Sequence, residues 1–338
     1  MTKKKRLLFA LVAMALALFV SLAVLLAVDM YYHHKMSTSA GLNVWGYRGP
    51  TVGHKKPGER RVVVVGESTT FGYGVHWQET IPAYLGELLN QRAPASAPIS
   101  VVNLGYNSEG ARSYTYTLED YAYLDADAVV FYSGYNDLGG RNVAVFRHSS
   151  PVFRLTGYMP ILPLVIREKS MLILSGGDLE AAYRAKGRTI FTPTIAARTV
   201  GSALAAVASV SESLDRQLTT AMPDPEGDAI GTGADCGDKW AHYCGGMHDA
   251  VQYALDHGKR VLIVTQPKLN DNHVDQQRHL VSFLQHRFGG NPRLRFTSLI
   301  DALSLSDPAM CFDGVHLTAV GNHRIAERLA EPVSDLIR

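Results

Sequence analysis

Ser68 stands in Gly66-Glu67-Ser68-Thr69-Thr70-Phe71-Gly72, directly after the β-branched run Arg61–Gly66. A serine hydroxyl becomes a strong nucleophile when a neighbouring base takes its proton. His316 can be that base. It closes Asp313-Gly314-Val315-His316, and a carboxylate three residues before an imidazole can orient the ring and stabilise its charged form. Two more runs offer donors for a developing oxyanion: Gly105-Tyr106-Asn107-Ser108 and Gly134-Tyr135-Asn136-Asp137. The amide of Gly105 can approach a ligand closely. Asn136 adds a side-chain N–H, and the amide of Ser68 a third donor, which is what an oxyanion hole requires. Each run alone has a plainer reading. Gly-x-Ser after a strand can be a helix N-cap, and Asn136-Asp137 can be a turn. In a chain with 13 histidines, a single one near the C-terminus is commonly structural.

Chemistry of this kind needs a frame that brings distant loops together. Short apolar runs at Arg61–Gly66, Ile99–Leu104, Ala128–Ser133 and Arg260–Thr265, and a weaker one at Leu294–Leu299, read as strands buried on both faces. Helical patterns lie between or after them, at Ile81–Gln91, Ala111–Leu124, Asp249–His257, Asp275–Phe288 and Gly321–Ile337. Strands alternating with helices predict a parallel α/β sheet of about five strands with right-handed crossovers. Ligands of such sheets bind at the carboxyl ends of the strands, where the candidate residues fall. There is no internal repeat. The stretch from Ser133 to Arg260 is far longer than a crossover needs. It holds apolar Pro160–Ile166, helical spacing over Ala196–Leu218 and a Gly/Asp-rich segment at 223–246. It reads as an insertion at about 143–248, either a lid over the site edge or a small second domain. Packed core is the expectation for 160–166. Tyr114, Tyr116, Tyr121 and Tyr123 can equally be core or a stacking surface for a sugar.

The composition is that of a globular protein with one membrane-like segment: 46% hydrophobic, 19% charged, formal net charge +2. Four of the cations are Lys3, Lys4, Lys5 and Arg6, and without them the balance turns negative, which gives no case for nucleic acid. Leu7–Val28 follows without charge, Pro or Gly, and about 20 apolar residues suffice to cross a bilayer. The basic run before it puts residues 1–6 in the cytoplasm and the rest of the chain outside, periplasmic or extracellular. A cleaved signal peptide is the alternative, but its apolar region is shorter and ends at a small-residue site that is missing here. Residues 29–60 are turn-rich and read as a linker, followed by a domain over 61–338. Of three cysteines, Cys236 and Cys244 can close a small loop in an oxidising compartment. A metal shared with His242 and His248 is the weaker alternative, since the spacing matches no zinc pattern. Cys311 is expected as a buried small hydrophobe.

Taken together the four runs resemble the SGNH hydrolases, also called the GDSL esterase/lipase family. Gly66-Glu67-Ser68 matches the first block, with Glu67 where the family carries Asp. Gly105 matches the second-block glycine, Gly134-Tyr135-Asn136-Asp137 the third block, and Asp313-Gly314-Val315-His316 the last. The resemblance covers about residues 60–142 and 258–338. It implies a flavodoxin-like three-layer fold, Ser68 as nucleophile, His316 as general base and then acid, and Asp313 as its orienter. It also implies oxyanion donors from Ser68, Gly105 and Asn136, no cofactor and no metal. The activity expected is hydrolysis of a carboxylic ester, an O-acyl group on a carbohydrate or a lipid. An O-acyltransferase acting on an envelope polysaccharide would use the same residues, and a non-catalytic binding module is the third reading.

Overall fold

The computed structural model describes residues 2–37, 42–93, 97–139, 151–163, 165–166 and 236–338. They belong to two units, Met1–Met36 with Pro160–Glu212 and Ser37–Met159 with Ser213–Arg338.

The second unit is built on five strands: β1 (Arg60–Gly66), β2 (Ile99–Asn103), β3 (Ala128–Tyr132), β4 (Arg260–Thr265) and β5 (Leu294–Ser298). Their order is β2-β1-β3-β4-β5, and every pair is parallel. The three central strands are buried almost throughout, while edge strands β2 and β5 are partly exposed. That explains why the central runs are continuously apolar: helices cover both faces. This is the flavodoxin-like strand order, and its topological switch point lies between β1 and β3.

Side chains alternate across the sheet. Val62, Val64, Val130 and Leu262 face a core closed by α3 (Ile81–Arg92) and α8 (Ala319–Ile337), with Leu85, Leu89, Ile325, Leu329 and Val333 fully or nearly fully buried. On the other face, Val63 and Val129 lie toward Leu118 of α4 (Tyr114–Asp120) and Ala254 of α6 (Ala241–Asp256). The short α5 (Pro151–Thr156) precedes α6 in the chain, and the last crossover helix is α7 (Asp271–Phe288), which packs on α6. Side-chain caps start three of these helices. Thr80 Oγ1 accepts from Ala83 N, Asn270 Oδ1 from His273 N, and Thr318 Oγ1 from Gly321 N.

Strand boundaries match the sequence expectation within a residue; α7 starts four residues ahead of the expected Asp275, and two other helices differ more. Ala111–Leu124 is not one helix but a single turn, then α4, then a second turn. Its Tyr114-Thr115-Tyr116-Thr117 start has poor helix propensity. Conversely α6 starts at Ala241, well ahead of Asp249, through Gly245-Gly246, which in sequence reads as loop. Gly246 has a packing reason: a Cβ there would sit 2.7 Å from the Ala111 carbonyl carbon, so only glycine lets α6 lie against that turn. Cys236 and Cys244 form a disulfide at the start of α6, and Cys311 is buried and free. Tyr114 and Tyr121 are core residues, whereas Tyr123 is 55% exposed. The stretch 42–59 carries only isolated bridges, yet Leu42, Tyr47 and Arg48 within it are buried.

The first unit contains α1 (Lys3–Ser37), which extends past Val28 into the stretch expected as linker. It is long and apolar enough to cross a membrane, and none of its apolar window is buried. Near its end Asp29 pairs with His33 at 3.4 Å and accepts the backbone N–H groups of Ile161 and Leu162 at 3.0 and 2.6 Å. Ile161 and Val165 are buried, as expected for 160–166. The helical pattern at Ala196–Leu218 and residues 223–235 lie outside the described residues.

Candidate active site

β1 ends in Gly66, and the chain turns at once into the short helix α2 (Ser68–Phe71). Ser68 is its first residue, so its amide belongs to the helix-start N–H groups that find no partner within the helix. The site therefore opens at the carboxyl end of β1, beside the switch point. Across from it, Cys311 and Leu317 form an antiparallel bridge that closes the loop carrying Asp313 and His316. Gly314 sits in that loop at φ 88°, in the left-handed region where a β-carbon is disfavoured. The turn lets one Asp313 oxygen accept the backbone N–H groups of Val315 and His316 at 3.0 and 2.7 Å. The other oxygen lies 2.6 Å from His316 Nδ1. Burial alone would raise the Asp313 carboxyl. The His316 ring and the two backbone N–H groups outweigh it and hold it at about 2.

An ionised Asp313 can only accept, so neutral His316 carries its proton on Nδ1. That leaves the Nε2 lone pair toward Ser68, whose Oγ is 2.8 Å away. Ser68, His316 and Asp313, separated by more than two hundred residues of chain, are thus joined in one hydrogen-bonded line. Tyr73 and Phe312 flank the imidazole, with ring centres 4.7 and 5.9 Å from it.

Of the expected oxyanion donors, Asn136 lies in the single turn after β3. One N–H of its side chain goes to Glu109 O at 2.8 Å, which leaves the second hydrogen of that amide. The N–H of Gly105 is directed to Asn103 Oδ1 at 3.0 Å, so a role toward substrate would require that bond to be shared or exchanged.

Several supporting residues have no motif to announce them. Glu67 is fully buried, and its Oε1 accepts the backbone N–H groups of Gly134 and Asn136 at 2.7 and 3.2 Å. It thereby ties the Ser68 turn to the loop after β3. Burial, and then the neighbouring Asp137, push its carboxyl well above the ordinary range despite those N–H groups. Asp137 is also raised by burial, against a bond from Ala111 N. Thr70 Oγ1 donates to Tyr132 O at 3.1 Å, a second tie between the same two strand ends. Arg48 and Asn103 hold the far end of α2. Glu67 was legible as a neighbour of Ser68. Nothing in spacing or periodicity marks Arg48, which sits in a turn-rich Arg48-Gly49-Pro50 run.

Among the described residues there is no cluster of three or more His, Cys, Asp or Glu suited to a metal. His248 instead faces Asp249 at 3.0 Å and stacks on Phe288 at 5.2 Å.

No protein-family model and no curated protein matches the chain. Solved structures that it is similar to include a family 3 carbohydrate esterase from Clostridium thermocellum (12% identity, 83% of this chain and 98% of that one, TM-score 0.44). They also include a lipase/acylhydrolase from Enterococcus faecalis (11%, 82% and 97%, TM-score 0.42). A third is a member of the lipolytic protein G-D-S-L family from Veillonella parvula (10%, 80% and 97%, TM-score 0.40). Scores this low add nothing to what the geometry of the site itself says.

Proposed function

We propose that this chain is a serine ester hydrolase of the SGNH type, held at a membrane by α1 with its catalytic unit outside the cytoplasm. The observation that carries the activity is the unbroken line Ser68 Oγ to His316 Nε2 to Asp313, at 2.8 and 2.6 Å. His316 takes the hydroxyl proton as Ser68 attacks an ester carbonyl, and Asp313 stabilises the imidazolium that forms. The oxyanion draws on the amide of Ser68 at the start of α2 and on the second side-chain N–H of Asn136. His316 then returns the proton to the leaving alcohol. Water, activated by the same imidazole, releases the acyl group from Ser68. A sugar or lipid O-acyl ester is the substrate class, and the basic residues Lys3–Arg6 at the start of α1 favour the orientation.

The test uses the full chain in detergent, with a fluorophosphonate probe and p-nitrophenyl acetate. The wild type is expected to label and to turn over ester. Ser68→Ala, with an unchanged circular dichroism spectrum, is expected to do neither. Undiminished turnover in that variant would overturn the assignment.

A further inference from the structure

The nucleophile turn has two ends. Ser68 lies at its start, facing His316. At the other end the carbonyls of Thr70, Phe71, Gly72 and Val75 lie where no helix continues, and of these Gly72 O has a backbone donor, Val75 N at 3.3 Å. Buried carbonyls need donors, and two residues outside the four chemical runs supply them. Arg48 donates Nη1 to Phe71 O and Gly72 O, both at 2.5 Å, and Nη2 to Val75 O. Its guanidinium also lies over the Phe71 ring, 4.3 Å from the centre. Asn103 donates Nδ2 to Thr70 O at 2.9 Å and to Phe71 O at 3.3 Å. The two donors are themselves linked, since Arg48 N bonds to Asn103 O at 3.2 Å.

The chemistry of Arg48 is unusual for a buried cation. It is 3% exposed, and its Nη1 and Nη2 donate to three carbonyl oxygens. A planar fork holds its donors in fixed directions toward three carbonyls; an ammonium on a flexible stem is a point charge with rotatable donors and fixes them less firmly. Burial works against this charge, Glu79 offsets part of that, and the bonds the charge makes go into the shape of the turn. That shape fixes Ser68, because Gly72 N and Tyr73 N both bond back to Ser68 O at 2.9 Å.

We infer that Arg48, together with Asn103, is a positioning residue that sets the aim of Ser68 from outside the site. It does so by locking the carbonyl end of the nucleophile turn. This rests on the reading of Ser68 as nucleophile and extends it to the stretch before β1. The guanidinium of Arg48 bonds to the turn and not to Ser68 Oγ or His316, so its loss acts on the geometry of attack. A displacement of about 1 Å at a reacting centre costs on the order of a hundredfold in rate.

The experiment compares the full-length wild type with Arg48→Lys, Asn103→Ala and Leu85→Ala. Leu85 is fully buried between α3, α8 and the sheet, so its variant lowers stability without touching the turn. For each, kcat and KM on p-nitrophenyl acetate, the rate of fluorophosphonate labelling and Tm are measured. Arg48→Lys is expected to lower kcat and the labelling rate together by about ten- to a hundredfold, with KM changed by less than about threefold. Asn103→Ala should shift the same two rates by a smaller factor. Leu85→Ala should lower Tm and leave both rates alone. Wild-type kcat and labelling in both Arg48→Lys and Asn103→Ala would overturn the inference while the hydrolase reading stands. So would equal rate losses in Leu85→Ala at the same distance below Tm. An unlabelled wild type would overturn the hydrolase reading and this inference with it.

Discussion

His316 and Ser68 meet at 2.8 Å but are held in opposite ways. The loop of Asp313 and His316 organises itself. Its hydrogen bonds run between residues two and three apart, closed by the bridge from Cys311 to Leu317. The turn of Ser68 is held from a distance. Glu67 reaches the loop after β3, Thr70 reaches Tyr132, and Arg48 and Asn103 reach back from elsewhere. A self-contained loop can be carried by a short motif, because all its partners are written within it. A turn braced from outside depends on residues that share no spacing with it.

That contrast gives variants of graded effect. His316→Ala removes the base outright and is expected to lower kcat by about four or more orders of magnitude, read on p-nitrophenyl acetate. A loss under about tenfold would detach the self-contained loop from the chemistry. Asn136→Ala leaves the base untouched and removes one oxyanion donor. It should cost about 10²–10³ in kcat with KM nearly constant. A normal rate would remove Asn136 from that role and leave the helix-start amide to bear the charge.

The distant bracing also predicts a pH signature in stability. Glu67 has a folded-state pKa raised from 4.5 to about 8, first by burial and then by Asp137. A group bound more tightly to its proton in the folded state contributes stability fully below its unfolded pKa. That contribution is lost as pH rises through the folded value. Asp137, raised to about 7, acts with the same sign. Tm should therefore fall between about pH 4.5 and 8. Glu67→Gln, which keeps an oxygen for Gly134 N and Asn136 N, should flatten that fall. Parallel Tm profiles for the two proteins would show that the buried carboxyl does not titrate there. Asp313 works the other way, since its pKa is depressed from 3.8 to about 2. Its stabilisation is present above 3.8 and is lost as pH falls through 2.

The smallest effect expected is at Gly314. Nothing lies within 4 Å of a Cβ placed there, so Gly314→Ala tests backbone strain alone. At φ 88° it should lower stability by about 1–2 kcal/mol in urea denaturation, with only a modest loss of rate. An unchanged midpoint would mean the loop tolerates a different turn.

The same division decides what could be read before any coordinates. The strands were legible because burial on both faces writes a continuous apolar run, as in Val62–Val65 and Val129–Phe131. Ser68, Asn136, Asp313 and His316 were legible because each follows a strand or sits in a short motif. The start of α6 was hidden, because Gly245-Gly246 carries a loop signal and its packing reason lies on a distant turn. Arg48 was hidden more deeply. A lone arginine in a turn-rich stretch looks like a solvated one, and only its three carbonyl partners reveal otherwise. Gly105 was legible as a glycine at a strand end, but the direction of its amide toward Asn103 was not.

The separation of 248 positions between Ser68 and His316 has a consequence for biosynthesis. Synthesis runs from the N-terminus, so the serine emerges long before its partner imidazole. The pairing of β3 with β4 also bridges a long stretch of chain, a topology that folds slowly. Throughout that interval the nascent polypeptide carries a serine with no base beside it and is chemically inert toward the esters around it. On the reading proposed for Ser68, activity would arrive only once the chain had been made and folded through His316, and a ribosome that stalled before codon 316 would leave a fragment without its base.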